Sequence, residues 1–230
     1  VIARDRVTFF PAVPTMYFAL LNDDGNAKAN LSSLQFCVSG GAPIPIEIKR
    51  QFETRFNVAI QEGYGLTETS PLAAMQKLDE TNKAGTIGKP IDGVEFQIVD
   101  DEGCAVPDGM RGELLIRGPN VMKGYFREPQ ATAEALTDGW FHSGDIATID
   151  SEGDIFIVDR KKDMILRGGY NVYPREIEEV LYTHPAIKEA AVIGVSDDRY
   201  GEEVKAIVSL KAGHHVAPDE LMDYCKQHVA

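Results

Sequence analysis

A strand–helix–strand pattern constrains the fold of this 230-residue chain more than any other feature of its sequence. The apolar run LQFCVS predicts a strand at 34–39, and VAIQ predicts a second strand at 58–61. Between them, isoleucine or phenylalanine recurs every four residues, at Ile44, Ile48, Phe52 and Phe56. This spacing predicts a helix with one apolar face. Strands connected through a helix are parallel with a right-handed crossover, so the pattern predicts a parallel α/β sheet.

Glycine-rich segments follow both predicted strands. GGAP, which is Gly40, Gly41, Ala42 and Pro43, follows the first strand, and EGYGLTETS follows the second. We expect both segments at the sheet edge where open α/β sheets bind ligands, because each follows the carboxyl end of its strand. The second segment places Tyr64 between Gly63 and Gly65, with Thr67 and Glu68 just beyond. An aromatic face, a hydroxyl and a hard carboxylate oxygen suit a nucleotide with Mg²⁺, although a glycine-rich loop at a strand end is more often a plain turn.

The pattern of predicted helices and strands changes twice further along the chain. We predict a partial α/β subdomain over 1–85, a β-rich and barrel-like subdomain over 86–160, and an α+β domain over 161–230. SEGD, between IATID and IFIVD, predicts a hairpin. PREIEEVL predicts a helix, EAAVIGV and VKAIVSL predict strands, and PDELMDYCKQHVA predicts a last amphipathic helix. On that last helix Leu221, Met222 and Cys225 should lie near one face.

Two later segments carry further candidate residues. Asp145 follows Gly144 where a strand is expected to begin, and a fixed carboxylate there could accept hydrogen bonds from a ribose diol or simply cap a turn. Arg160 could contact ribose or phosphate, and Lys162 could be a hinge, although DRKKD also fits a solvated charged run. Gly168 and Gly169 would let a thin ligand pass close to the backbone, or would form an ordinary turn.

Composition excludes several classes of function. The net charge of −13 argues against a nucleic-acid partner, which requires a basic surface. The sequence contains no run of about 18 apolar residues, so we predict no transmembrane segment. The three cysteines form no CxxC pair, the five histidines form no metal constellation, and no GxSxG, HExxH or GxxxxGK[ST] motif occurs.

Six strings in one order give the chain a family resemblance. They are GGAP, YGLTETSP, GELLIRGPNVMKGYF, DGWFHSGD, DRKKDMILRGGYNVYPREIEEVL and AVIGVSDDRYGEEVKA. Together they resemble the adenylate-forming superfamily of AMP-forming acyl- and aryl-CoA synthetases, over essentially the whole chain. The resemblance implies a partial adenylate-forming fold with a parallel α/β sheet, a small barrel-like subdomain and a mobile α+β carboxyl-terminal domain.

The resemblance also implies roles for individual residues. Gly40, Gly41, Ala42 and Pro43 would line the adenine and acyl pockets, and Tyr64 and Gly65 would lie against the adenine. Thr67 would bond the α-phosphate and Glu68 would hold Mg²⁺. Asp145 would bind the ribose hydroxyls beside Arg160, Lys162 would be the interdomain hinge, and Gly168 and Gly169 would admit the pantetheine arm of CoA.

Within the superfamily, the strings most resemble ligases of medium- or long-chain fatty acids. An aryl-CoA ligase of the 4-coumarate kind and a non-catalytic nucleotide-binding module are the alternatives. The expected ligands are ATP or AMP, Mg²⁺, CoA and a small carboxylic acid, in a cytoplasmic protein. The oligomeric state and any peripheral membrane contact stay open. Because the family's phosphate loop and its late lysine are missing from this sequence, we expect these residues alone to have little or no ligase activity.

Overall fold

The computed structural model describes residues 1–22, 30–77 and 83–229 of the chain. The chain divides into two compact units. Unit 1 comprises Val1–Ser143 and Ala147–Ile157, and unit 2 comprises Gly144–Ile146 and Val158–Ala230. Mixed sheets, one of them curled into half a barrel, and a few helices confirm the predicted partial adenylate-forming fold.

Unit 1 begins with a five-stranded sheet in the order β1-β2-β3-β4-β5. Its first three strands pair in parallel, β4 pairs antiparallel with β3, and β5 pairs antiparallel with β4. The elements of this part are α1 (Ile2–Asp5), β1 (Phe9–Ala12), α2 (Pro14–Asn22), β2 (Phe36–Ser39), α3 (Ile46–Phe56), β3 (Ile60–Tyr64), β4 (Ala74–Met75) and β5 (Lys89–Pro90). The parallel pairing of β2 with β3 through α3 confirms the strand–helix–strand prediction.

The predicted apolar face of the helix was wrong at its first residue, Ile44. Ile44 is buried, but it precedes α3, which begins at Ile46. Pro45 follows Ile44 and disfavours helical backbone in the residue before it, so the helix starts later. Within α3, Ile48 and Phe52 are buried as predicted, and the ring of Phe52 packs edge-on against buried Tyr17 at 5.0 Å.

The β-rich stretch forms a second sheet in the order β10-β9-β7-β6, with β8 paired to β9. Its elements are β6 (Glu95–Val99), β7 (Gly112–Arg117), α4 (Pro129–Ala135), β8 (Leu136–Thr137), β9 (Trp140–Ile149) and β10 (Ile155–Arg160). The predicted hairpin at SEGD is confirmed, because Asp150 begins a tight turn between the neighbouring strands β9 and β10. Its carboxylate accepts hydrogen bonds from the amides of Glu152 and Asp154.

Unit 2 contains a four-stranded antiparallel sheet in the order β12-β11-β14-β13 and two helices. Its elements are β11 (Ile165–Arg167), β12 (Tyr170–Val172), α5 (Pro174–Thr183), β13 (Ile187–Asp197), β14 (Gly201–Leu210) and α6 (Pro218–His228). Leu221 and Cys225 pack on the core of this unit around Leu181, as predicted. The prediction for Met222 was wrong: one residue after Leu221, it is turned about 100° around the helix and is 52% exposed.

The strands predicted at EAAVIGV and VKAIVSL are confirmed and are longer than the apolar runs. They pair from Ile187 with Leu210 to Asp197 with Gly201. The division into 1–85, 86–160 and 161–230 stays a prediction. Within the described residues, no helix has the length and apolar character needed to cross a membrane.

Candidate functional site

The two glycine-rich segments lie beside each other in unit 1. Gly40 follows the last residue of β2, and a Cβ placed on it would lie 3.3 Å from the carbonyl oxygen of Gly63 in β3. Gly41, Ala42 and Pro43 are exposed beyond this contact. EGYGLTETS, residues 62–70 and hereafter the motif loop, begins inside β3 rather than after it, because β3 continues to Tyr64. The strand end predicted at 61 was therefore three residues too early, although β2 still places GGAP against the loop.

The motif loop is fixed by contacts close in sequence. A Cβ on Gly65 would fall 1.7 Å from the carbonyl oxygen of Pro71, so no other residue fits there. Thr69 is fully buried, and its hydroxyl oxygen accepts a hydrogen bond from the amide of Leu66 at 2.9 Å. These contacts leave Thr67 exposed and Glu68 half-buried at the tip of the loop. Sequence reasoning missed Thr69, although its spacing of three residues from Leu66 is typical of a side chain closing a short turn.

A second segment, residues 118–126 or GPNVMKGYF and hereafter the brace segment, forms hydrogen bonds with the motif loop and with Leu72 just after it. The side-chain amide of Asn120 donates hydrogen bonds to the carbonyl oxygens of Thr69 and Leu72, at 3.0 and 2.7 Å. The amide of Met122 donates to the carbonyl oxygen of Glu68 at 2.7 Å. The hydroxyl of Tyr125 donates to Oε1 of Glu68 at 2.8 Å, which raises the pKa of Tyr125 above its ordinary value.

Glu68 fits the metal-binding role suggested for it. Its carboxylate forms no salt bridge with any described residue, and Tyr125 is the described residue that hydrogen-bonds to it. One oxygen therefore remains for a hard cation that is otherwise bound by phosphate oxygens and water, as Mg²⁺ usually is in proteins. Across the described parts of the chain, no group of three or more His, Cys, Asp or Glu side chains could hold a metal on its own.

Glu62, the first residue of the motif loop, belongs to a buried polar network that the sequence did not reveal. Nζ of Lys49, on α3, lies 3.0 Å from Oε1 of Glu62 and 3.3 Å from Oε1 of Gln76. The amide of Glu62 donates to that same oxygen of Gln76 at 3.0 Å, and Nε2 of Gln76 donates to the carbonyl of Thr86 at 2.6 Å. This network joins α3 to the strand that carries Tyr64. Tyr64 itself packs edge-on towards Phe96, with 6.4 Å between ring centres.

In unit 2, Asp145 and Arg160 form an ion pair. Nε of Arg160 lies 3.2 Å from Oδ1 of Asp145, whose side chain is only 5% exposed. The expectation that a strand begins at Asp145 was wrong, because Asp145 lies in the middle of β9, which starts at Trp140. Gly144 interrupts the apolar alternation of the sequence, so the strand was predicted to begin after it. In the structure Gly144 lies within β9 and has a φ of 71°. Lys162 lies exposed in the turn after β10.

Gly168 and Gly169 form the two-residue turn of the β11–β12 hairpin. Arg167 pairs with Tyr170 across the turn, and both glycines have positive φ, 58° and 87°, as the favoured hairpin turns require. A Cβ on Gly169 would meet nothing within 4 Å, so the turn is open on that side. Arg167 anchors the hairpin through a two-point ion pair with Glu203, which lowers the pKa of Glu203 to about 2.

The structure places Gly40 against Gly63 of the motif loop and pairs Asp145 with Arg160. GGAP adjoins the motif loop in unit 1, while Asp145, Arg160, Lys162, Gly168 and Gly169 belong to unit 2. The assembly of both sets around one nucleotide stays a prediction.

Comparisons with known proteins identify the family of the chain. Residues 1–126 match the family described as AMP-binding enzyme, and residues 176–230 match the AMP-binding enzyme C-terminal domain. A feruloyl-CoA synthase from an Amycolatopsis species is 42% identical over the whole chain, which covers 47% of that relative. A long-chain-fatty-acid–CoA ligase from Bacillus subtilis is also 42% identical over the whole chain, which covers 41% of it.

A solved structure of o-succinylbenzoate CoA synthetase from Bacillus subtilis, in complex with its acyl-adenylate intermediate, superposes with a TM-score of 0.85. It is 34% identical, over 100% of this chain and 46% of that one. The chain thus spans about half the length of the relatives it matches. With more than half of its residues matched to one family and its motif loop held as described, the chain belongs to the AMP-binding enzymes, the family whose motifs it resembles.

Proposed function

We propose that the protein containing these residues activates a carboxylic acid with ATP and transfers the acyl group to CoA. In the first step a carboxylate oxygen of the acid forms a bond to the α-phosphorus of ATP, and pyrophosphate leaves with the electrons of the broken P–O bond. In the second step the sulfur of the CoA thiolate bonds to the acyl carbon, and AMP leaves. The observation that carries the proposal is the motif loop, which presents exposed Thr67 beside a Glu68 carboxylate that has no cationic side chain paired to it among the described residues.

The residues of unit 1 would bind the reacting end of the nucleotide. Thr67 can donate a hydrogen bond from its hydroxyl to an α-phosphate oxygen. Glu68 can hold Mg²⁺, which neutralises phosphate charge when bound. GGAP and Tyr64 would flank the adenine, and the close packing of Gly40 against Gly63 supports one continuous wall. Positioning and charge neutralisation are the main contributions such a site makes to phosphoryl chemistry.

The residues of unit 2 would bind ribose and admit CoA. Asp145 can accept hydrogen bonds from both ribose hydroxyls, and Arg160 forms an ion pair with it. Lys162 would be the hinge that lets the small domain serve each half-reaction in turn. The open side of Gly169 would face the pantetheine arm.

For the acid, we propose a medium- or long-chain fatty acid. The Bacillus subtilis long-chain ligase supports this choice, whereas the feruloyl-CoA synthase, at equal identity, favours an aryl acid as the second candidate. Pyrophosphate exchange into ATP by the complete protein, with saturated acids of C2 to C18 and hydroxycinnamates, separates them. We expect exchange to peak with long chains. A peak with hydroxycinnamates would select the aryl candidate, and no acid-dependent exchange would refute the activation step.

Replacing Asp145 with asparagine should slow acid-dependent pyrophosphate exchange about tenfold, because a charge-assisted hydrogen bond is roughly twice as strong as a neutral one. The effect should appear mainly in the KM for ATP. Asp198→Asn is the matched control, since it removes the same charge from an exposed position and should leave the exchange rate unchanged. Equal exchange kinetics in Asp145→Asn and wild type would contradict the ribose role.

A further inference from the structure

The brace segment gives Glu68 two separate attachments. The amide of Met122 bonds to the backbone carbonyl of Glu68, while the hydroxyl of Tyr125 bonds to its side-chain Oε1. Asn120 adds bonds to the carbonyls of Thr69 and Leu72, on either side of the Ser70–Pro71 bond. Backbone and carboxylate of Glu68 are therefore each fixed by residues more than fifty positions away in sequence.

Tyr125 is itself held in place through its backbone. Its amide donates to Oγ1 of Thr132 in α4 at 2.9 Å, and the hydroxyl of Thr132 donates to the carbonyl of Glu128 at 2.8 Å. Tyr125 is 38% exposed, so its contribution to the apolar core is limited. A tyrosine that is fixed at its backbone, partly exposed at its ring and bonded to a carboxylate by its hydroxyl is better suited to orienting that carboxylate than to packing.

We propose that Tyr125 is a positioning residue for Glu68, whose hydroxyl holds Oε1 and thereby leaves Oε2 for the divalent cation of the nucleotide. This inference rests on the proposed function, because it assumes that Glu68 binds the cation that accompanies ATP. Groups that hydrogen-bond to a metal-binding carboxylate fix its orientation, and removing them commonly lowers metal affinity between ten- and a hundredfold. Tyr125 does not touch the reacting atoms and acts only through Glu68.

The test compares ATP binding with and without Mg²⁺. Calorimetry on the complete protein, in the absence of acid and CoA so that no turnover occurs, gives the ATP affinity in Mg²⁺ and in EDTA. In Tyr125→Phe, the ratio of the two affinities should fall about tenfold, while the affinity in EDTA should stay within about twofold of wild type. Tyr224→Phe is the matched control: it loses a hydroxyl that lies 2.9 Å from Oγ1 of Thr183 and should change neither affinity.

A second variant tests the route through Glu68. In a Glu68→Gln background the Tyr125→Phe change should have no further effect on the ratio, because the carboxylate it orients is gone. An unchanged ratio in Tyr125→Phe, or an equal fall in both affinities, would overturn the positioning role while leaving the proposed function intact. No ATP binding by wild type in either condition would refute the nucleotide site itself, and this inference with it.

Discussion

Replacing Lys49 with methionine should lower the free energy of unfolding of unit 1 by about 3 kcal/mol, the lower end of the range for breaking a buried ion pair. The side chains of Lys49 and Glu62 are 13% and 7% exposed, and 3.0 Å separates Nζ from Oε1. Without its lysine partner, the Glu62 carboxylate stays in a site with little access to water. Because Glu62 is two residues from Tyr64 on β3, the variant should also loosen the motif loop.

Urea denaturation followed by the fluorescence of Trp140 measures this effect, since Trp140 lies in the same unit as Lys49. Arg50→Met is the matched control: it removes the neighbouring cation, an exposed side chain paired with Glu47 one turn earlier on α3, and should leave the midpoint near wild type. The double variant Lys49→Met with Glu62→Gln should recover part of the loss, because no charge is then buried. A midpoint for Lys49→Met equal to that of Arg50→Met would show that the pair does not stabilise β3.

The sequence predicted the elements whose signals are local. The apolar period across α3 and the runs in β2 and β3 specify one strand–helix–strand unit, and its hydrogen bonds join segments that adjoin in sequence. The exact ends of these helices and strands were harder to predict. Pro45 delays the helix past Ile44, and β3 continues into polar residues up to Tyr64, because the sheet rather than hydrophobicity decides where pairing stops.

The contacts that hold the residues of the candidate site in place could not be predicted from the sequence. Glu68 and Tyr125 are 57 positions apart, and Lys49 reaches Gln76 across 27. No local period reveals which loops meet, so these pairs can be found only once the sheets are assembled. Asp145 was recognised by its motif but placed at a strand start, since Gly144 interrupts the apolar pattern in the middle of β9.

Replacing Gly169 with leucine should slow thioester formation more than about 100-fold while acyl-adenylate formation stays within about threefold of wild type. The expectation follows from the β11–β12 turn, where a Cβ on Gly169 would enter open space, the space we assign to the pantetheine arm. Even a displacement of about 1 Å at a reacting centre costs roughly 100-fold in rate, and a leucine side chain extends several times that distance. Pyrophosphate exchange measures the first half-reaction, and release of AMP on adding CoA measures the second.

Backbone strain is the competing explanation, because φ at Gly169 is 87° and leucine disfavours that conformation. Gly213→Leu separates the two effects. Gly213 is in the same unit and has a φ of 76°, and a Cβ placed on it would likewise meet no atom within 4 Å, but it lies outside the hairpin. If strain alone mattered, both variants would slow the second half-reaction alike. Selective loss in Gly169→Leu assigns the effect to obstruction of the path, whereas equal loss of both half-reactions in that variant would rule out a pantetheine role for the turn.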